Sequence, residues 1–247
     1  MEGDMGWNSP EYRQWLCVIR QWCRFLCMEE DRINKSVFRW SVDMCNRKKT
    51  SYYYVKRFLT QVDLYELCNI ENRIKYHNVK RSVKINLSMY YERLWLDKLN
   101  RVNAVNGSGR KNLRTYRKFK REFSTEAYVL IVNRKQRQAF AKFRCGVAPI
   151  RIETGRFVGE ALDERICKIC NNGEVEDEEH CLIRCNKYQE VRSQLFVAAV
   201  RIYSNFNSLS DEQKFVFLMS QQELANTVAR ACLEILRLRS KEVYSTN

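Results

Sequence analysis

Helix breakers and histidine are what this chain has least of. Its 247 residues include only 8 Gly, 2 Pro and 2 His. With so few breakers and paired turn signals, a many-stranded β fold is disfavoured and long helices are expected. No apolar run approaches the roughly 18 residues needed to span a bilayer. Nor does any apolar region near the start resemble a signal peptide, so the expected setting is intracellular, nuclear and/or cytoplasmic, without a membrane. No Gly-rich loop is present to cradle a nucleotide's phosphates.

Acid is scarce relative to base. Lys and Arg total 44 against 29 Asp and Glu, a net charge of +15. A field of that sign attracts polyanions, with nucleic acid the first candidate. Hydrophobic residues make up 45% of the chain, enough to bury a core rather than remain disordered. The expected class is mainly α: helical bundle segments with a small embedded metal module.

Helical periodicity is plain in residues 15–28, where Trp15, Val18, Ile19, Trp22, Phe25 and Leu26 recur at one-face spacing. Similar patterns follow at 35–46, around 50–68 and at 82–103. These aromatic stripes read as core packing. NGSG at 106–109 reads as a linker, and the composition shifts directly after it. The expected organisation is a helical region 1–106, a linker 107–109, a basic helical segment with its connector 110–160, and a metal module with C-terminal helices 161–247.

Residues 110–144 carry twelve Lys or Arg against two acids, a net +10 of the chain's +15. Leu113, Tyr116, Phe119 and Phe123 mark one apolar stripe there, and Ala139, Phe140 and Phe143 another. Basic residues interleaved with a packed face point to nucleic-acid contact rather than a solvated tail. The candidates are Arg110, Lys111, Arg114, Arg117, Lys118, Lys120, Arg121, Arg134, Lys135 and Arg137, flanked by Arg151, Arg156, Arg184 and Arg192. Past the connector, 187–203 is amphipathic, Ser210 is a good N-cap followed by Asp211 and Glu212, and a longer helix spans about 222–241.

The densest chemistry lies at 167–185, CKICNNGEVEDEEHCLIRC. Cys167, Cys170, His180 and Cys185 stand as C-x2-C-x9-H-x4-C, a metal-ligand spacing rather than a disulfide framework. Asn171-Asn172-Gly173 supplies the turn after the first pair. Four ligands fill a tetrahedral shell and leave no position for a reacting water, so the expected ion is one structural Zn²⁺. Cys181 neighbours His180, but adjacent helical residues diverge by about 100°, and Cys185 is the better fourth ligand. The acids between the ligands make this loop a poor phosphate clamp. The seven other cysteines read as free thiols, Cys23 and Cys27 within the core.

RIETGRF at 151–157, ERICKIC, EVEDEEHCLIRC and the following KYQEVR together resemble the zinc-binding C-terminal region of non-LTR (LINE-type) retrotransposon reverse transcriptases. That family shows a pattern close to C-x2-C, an acid-rich spacer, E-x-x-H-F-L and C-P-x-Y. The flanks 113–129 and 209–219 are similar too, so the resemblance spans roughly 110–240 and the first hundred residues more loosely. It implies Cys167, Cys170, His180 and Cys185 as the metal ligands. Cys181 departs from the family's aromatic, and Asn186 from its Pro. The palm motif Tyr-x-Asp-Asp is absent, so no polymerase activity is implied and no catalytic residue is assigned. Glu212-x-Lys214 reads as a helix start rather than a nuclease motif, and His77 has no nucleophile partner.

The expected role is therefore a non-catalytic fragment that binds RNA or DNA through basic helices, with the polymerase portion of the element as a further partner and no small-molecule substrate. Two rival readings share the composition: a zinc-stabilised protein-interaction or scaffolding domain, and a degenerate transposon relic. A RING-type ligase needs eight zinc ligands, about twice what this window offers.

Overall fold

The computed structural model describes residues 2–45, 47–101, 115–120, 122–170 and 172–245. The fold is mainly α. Among the described residues eight longer helices carry it: α1 (Pro10–Cys27), α2 (Ile33–Asp43), α3 (Ser51–Gln61), α4 (Tyr76–Arg101), α5 (Arg134–Cys145), α6 (Gln189–Ile202), α7 (Asp211–Ser220) and α8 (Ala225–Ser245). No β-strand occurs among the described residues, only isolated bridges such as Ile166 to Val175. None of their helices is long and apolar enough to cross a membrane.

The described residues form two compact units, one from residues 7–101 and one from residues 3–6 with the described residues from Thr115 on. The expected linker at 107–109 lies outside the described residues. Beyond it, the segments 110–160 and 161–247 share one core in which Tyr128, Phe140, Phe143, Leu182, Leu195, Leu218 and Val228 are buried together.

In the N-terminal unit, α1 starts earlier than residue 15 because Ser9 caps it and Pro10 opens it, with Glu11 in the first turn. Its apolar stripe buries Ile19, Trp22 and Leu26, and Trp15 stacks on Phe58 of α3 with ring centroids 3.6 Å apart. Burying the Trp22 indole requires a partner for its N–H, which donates to the Leu67 carbonyl at 2.8 Å. Lys35 is 4% exposed and donates from Nζ to the carbonyls of Phe25 and Leu26. A cation at these last-turn carbonyls complements the negative end of α1. The helical pattern at 50–68 breaks after Gln61, where Asp63 adopts φ 56°, and resumes as a 3₁₀ turn at Tyr65–Cys68. α4 begins at Tyr76, six residues before the apolar pattern becomes clear.

The C-terminal unit is built on α8, which packs along α5 and also meets α6 and α7. Ser210 caps α7 in a full capping box with Gln213. Around residues 116–126 the buried groups are charged. Arg144 and Lys120 both face Glu126, at 2.9 and 2.6 Å. Asp4, 2% exposed, accepts from Tyr116 Oη at 2.8 Å and Tyr128 Oη at 2.5 Å. Burial and the Asp4 carboxylate raise both phenols far above their ordinary range, so they act there as hydrogen-bond donors.

Candidate metal centre

Two short-range devices bring the four ligands together. The first is a knuckle. Cys167 N–H donates to the Glu174 carbonyl at 2.8 Å and Glu176 N–H to the Arg165 carbonyl at 2.9 Å, pinching the base of the loop. Gly173 has φ +70°, the left-handed geometry that lets the chain return within a few residues. Asn171, which the turn chemistry includes, lies outside the described residues.

The second device is a π-type turn at His180–Arg184. In a regular α-helix the fifth residue on would point about 140° away from the first. Here Cys185 N–H donates to the His180 carbonyl at 2.7 Å, an i→i+5 bond that widens the turn. The widening lets an x4 spacing serve one site. Asp177 starts the turn, its carboxylate accepting from His180 N–H at 2.6 Å.

The ligand atoms of Cys167, Cys170, His180 and Cys185 lie within 4.8 Å of one another, and all four residues are buried. They are placed to hold a metal ion. Tetrahedral thiolate shells with metal–sulfur bonds of about 2.3 Å need sulfurs about 3.8 Å apart, so a small contraction completes the shell. His180 is correctly oriented: Nε2 faces Cys170 Sγ at 3.4 Å, and Nδ1 donates to Glu174 Oε2 at 2.8 Å. That carboxylate is the outer partner that fixes ring and tautomer in metal–histidine sites. Cys181, fully buried, stands outside the cluster, and burial raises its thiol well above the ordinary range.

The thiols are electrostatically unequal. A hydrogen bond from Cys185, against the opposing effect of burial and with help from His180, brings Cys167 down to about 3. Cys185, donating to it, is raised, and burial raises Cys170. For His180, burial works downward, but Cys167 and Glu174 outweigh it and leave the imidazole raised. A divalent cation would supply the charge that deprotonates all three thiols.

Within the window Glu174, Glu176, Asp177 and Glu179 are engaged by neighbours, Asp177 through His180 N–H. Glu174 also meets Arg184 Nε at 2.9 Å, and Arg184 reaches Glu179 at 2.6 Å. Glu176, 1% exposed, takes a two-pronged contact from Arg239 of α8 at 2.8 and 2.9 Å, and accepts from Arg151 N–H at 2.6 Å. The buried Glu176 thus ties the connector, the metal loop and the last helix together. Neither its role nor that of Glu174 was readable from spacing, since five acids in six positions give no sign that Glu176 and Glu178 turn inward.

The sequence-predicted cations divide sharply. Arg110, Lys111, Arg114 and Arg121 lie outside the described residues. Lys120 is a correction to the expected interface: it is 3% exposed, and its ammonium is committed to Glu126 and the Ser124 carbonyl. Lys118 pairs with Glu212 at 2.6 Å, and Arg137 turns to the Ile131 carbonyl. Arg117 is half-buried. Of the flanking set, Arg151 pairs with Glu160, Arg156 with Glu153, and Arg192 is half-buried, its guanidinium lowered by desolvation. Arg134 and Lys135 remain exposed on α5, joined by Lys142 two turns on, and none of the three has an ion pair among the described residues.

No family model matches the chain, and no curated protein or solved structure is similar to it.

Proposed function

We propose that this chain binds RNA or DNA through the exposed face of α5, and that one structural zinc ion holds the neighbouring module in shape. The observation that carries the reading is the placement of free charge. Arg134 and Lys135 occupy the first turn of α5, which contains no acid. Cations at a helix N-terminus oppose the macrodipole at roughly 0.3–1 kcal/mol each. Asn133 offsets part of this by capping Lys135 N–H and Gln136 N–H. Lys135, Gln138 and Lys142 then continue the exposed face along the helix. A locally unfavourable arrangement with no internal partner fits an external anion.

Three thiolates and one imidazole in a closed, buried set suit zinc above other common ions, and suit a structural site above a catalytic one. We therefore assign no catalytic step to this chain. The likeness of roughly 110–240 to the C-terminal region of LINE-type reverse transcriptases supplies a setting: a module that holds template RNA or target DNA beside a polymerase.

The test is binding of single-stranded RNA and duplex DNA by the full chain across salt. We expect log affinity to fall linearly with log salt. Reversing Arg134, Lys135 and Lys142 to Glu together should remove most of that slope while the melting temperature stays within a few degrees. Equal binding by the reversed and native chains would overturn the α5 assignment.

A further inference from the structure

A second acid-free run lies in the N-terminal unit, far from the metal loop in sequence. No Asp or Glu occurs between Asp43 and Asp63, and the interval includes RKKTSYYYVKR at 47–57. The five cations of that run, Arg47, Lys48, Lys49, Lys56 and Arg57, are all exposed, and none forms an ion pair among the described residues. Three consecutive tyrosines stand between them.

The structure gives this run a shape. An open groove of about 630 Å³ lies along α3, lined by Tyr52, Tyr53, Lys56, Arg57, Thr60 and Gln61 together with Cys45. No lining residue is acidic. The volume falls within the range of small-ligand sites, about 300–1,000 Å³. Tyr52 forms the floor: it is buried, and Lys56 Nζ sits 5.7 Å from its ring centroid, which holds the ammonium at the groove. Tyr53 is half-buried and braced edge-on by Tyr54, with ring centroids 5.4 Å apart and planes at 81°. A braced aromatic ring beside two unpaired cations is the combination that takes a base on its face and a phosphate on its charge.

We propose that this groove binds a nucleotide of a single-stranded nucleic acid, its base against Tyr53 and its phosphate between Lys56 and Arg57. Arg47, Lys48 and Lys49, at the N-terminal end of the same helix, carry the adjoining backbone. The proposal rests on the nucleic-acid reading above for its ligand class, and adds a site in a separate unit. Single strands are favoured over duplex because a duplex hides its base faces. They are favoured over an acidic peptide because such a peptide has no use for the aromatic wall.

The experiment uses the full chain with fluorescent oligouridylate, a duplex of equal length, inorganic polyphosphate and polyglutamate. Tyr53→Ala and the double substitution Lys56→Gln with Arg57→Gln should each weaken oligouridylate binding about tenfold, a typical stacking or phosphate effect. Tyr53→Phe should bind like the native chain, and Tyr53→Ala should leave duplex binding unchanged. In the native chain, oligonucleotide containing 5-iodouridine should cross-link to the peptide 50–57. That last readout needs no variant, so it decides the matter even if Tyr53→Ala misfolds. Cross-links confined to other segments would overturn the site, as would full binding by Tyr53→Ala, or polyphosphate and polyglutamate losing as much as oligouridylate. The two sites fail separately. If only the α5 reversal weakens binding, the α3 groove is overturned and α5 stands; if only the α3 variants do, the reverse holds.

Discussion

The metal loop and the exposed face of α5 carry cations in opposite ways. Around the loop, Arg151, Arg156, Arg184 and Arg239 each meet a carboxylate. On α5, Arg134, Lys135 and Lys142 meet none among the described residues. A net charge of +15 therefore says little about where a polyanion can land. Charge answered by a buried or half-buried acid is structural, and truncating either partner destabilises the fold. Unanswered charge is available, and its loss should show in binding rather than in melting.

The comparison is broken most severely by removing the metal. Chelation, or Cys185→Ala, should unfold the C-terminal unit, because structural zinc in small modules contributes roughly 10–16 kcal/mol of apparent binding energy. Circular dichroism should show that unit melting early, while the N-terminal unit, with its own core, keeps its transition. Elemental analysis should return one metal per chain. Unchanged melting after complete chelation would mean the cluster is a thiol core and not a metal site. The next largest effect is at Glu126. Glu126→Gln leaves Lys120 and Arg144 buried with only neutral partners, at 3% and 1% exposure. It should cost about 3 kcal/mol in urea unfolding. Should the loss be a few tenths of that, these cations are solvated after all and belong with Arg134, Lys135 and Lys142.

How much of this was legible follows from the range of the interactions. The four candidate ligands are local, within nineteen residues, so their spacing alone singled out a group that the fold brings together. Helix existence was legible from periodicity, and Ser210 from its capping sequence. The starts of α1 and α4 were not, because a Ser-Pro cap carries no apolar signal and the first turn of α4 adds only Tyr76 and Val79 before the denser stripe begins. The burial of Lys120 was not legible either: its partner Glu126 lies six residues away across a turn, and a Lys in a basic run looks like its neighbours. Asp4 was invisible for a stronger reason, since its partners Tyr116 and Tyr128 lie more than a hundred residues on. The acid-free run at 44–62 is visible in the sequence, but its charge excess is smaller than that of 110–144 and its groove appears only in three dimensions.

Smaller changes sharpen the comparison inside the metal loop, where orientation rather than charge is at stake. Glu174→Gln keeps a hydrogen-bond acceptor near His180 Nδ1 but removes the carboxylate. Metal affinity should fall about 10- to 100-fold by competition with a chromophoric chelator, with the fold intact in excess metal. An unchanged affinity would leave Glu174 as a partner of Arg184 only.

Gly173→Ala should have the least effect, and it separates two sources of loop stability. A Cβ at this position would meet nothing within 4 Å, so the substitution adds no clash. What it adds is the cost of φ +70° for a residue with a side chain, roughly 1 kcal/mol. The metal-loaded chain should therefore melt slightly lower and bind nucleic acid as before, because no cation on α5 depends on the loop's turn. A fall in nucleic-acid affinity with the melting temperature held would mean that the knuckle itself touches the polyanion, despite its acids.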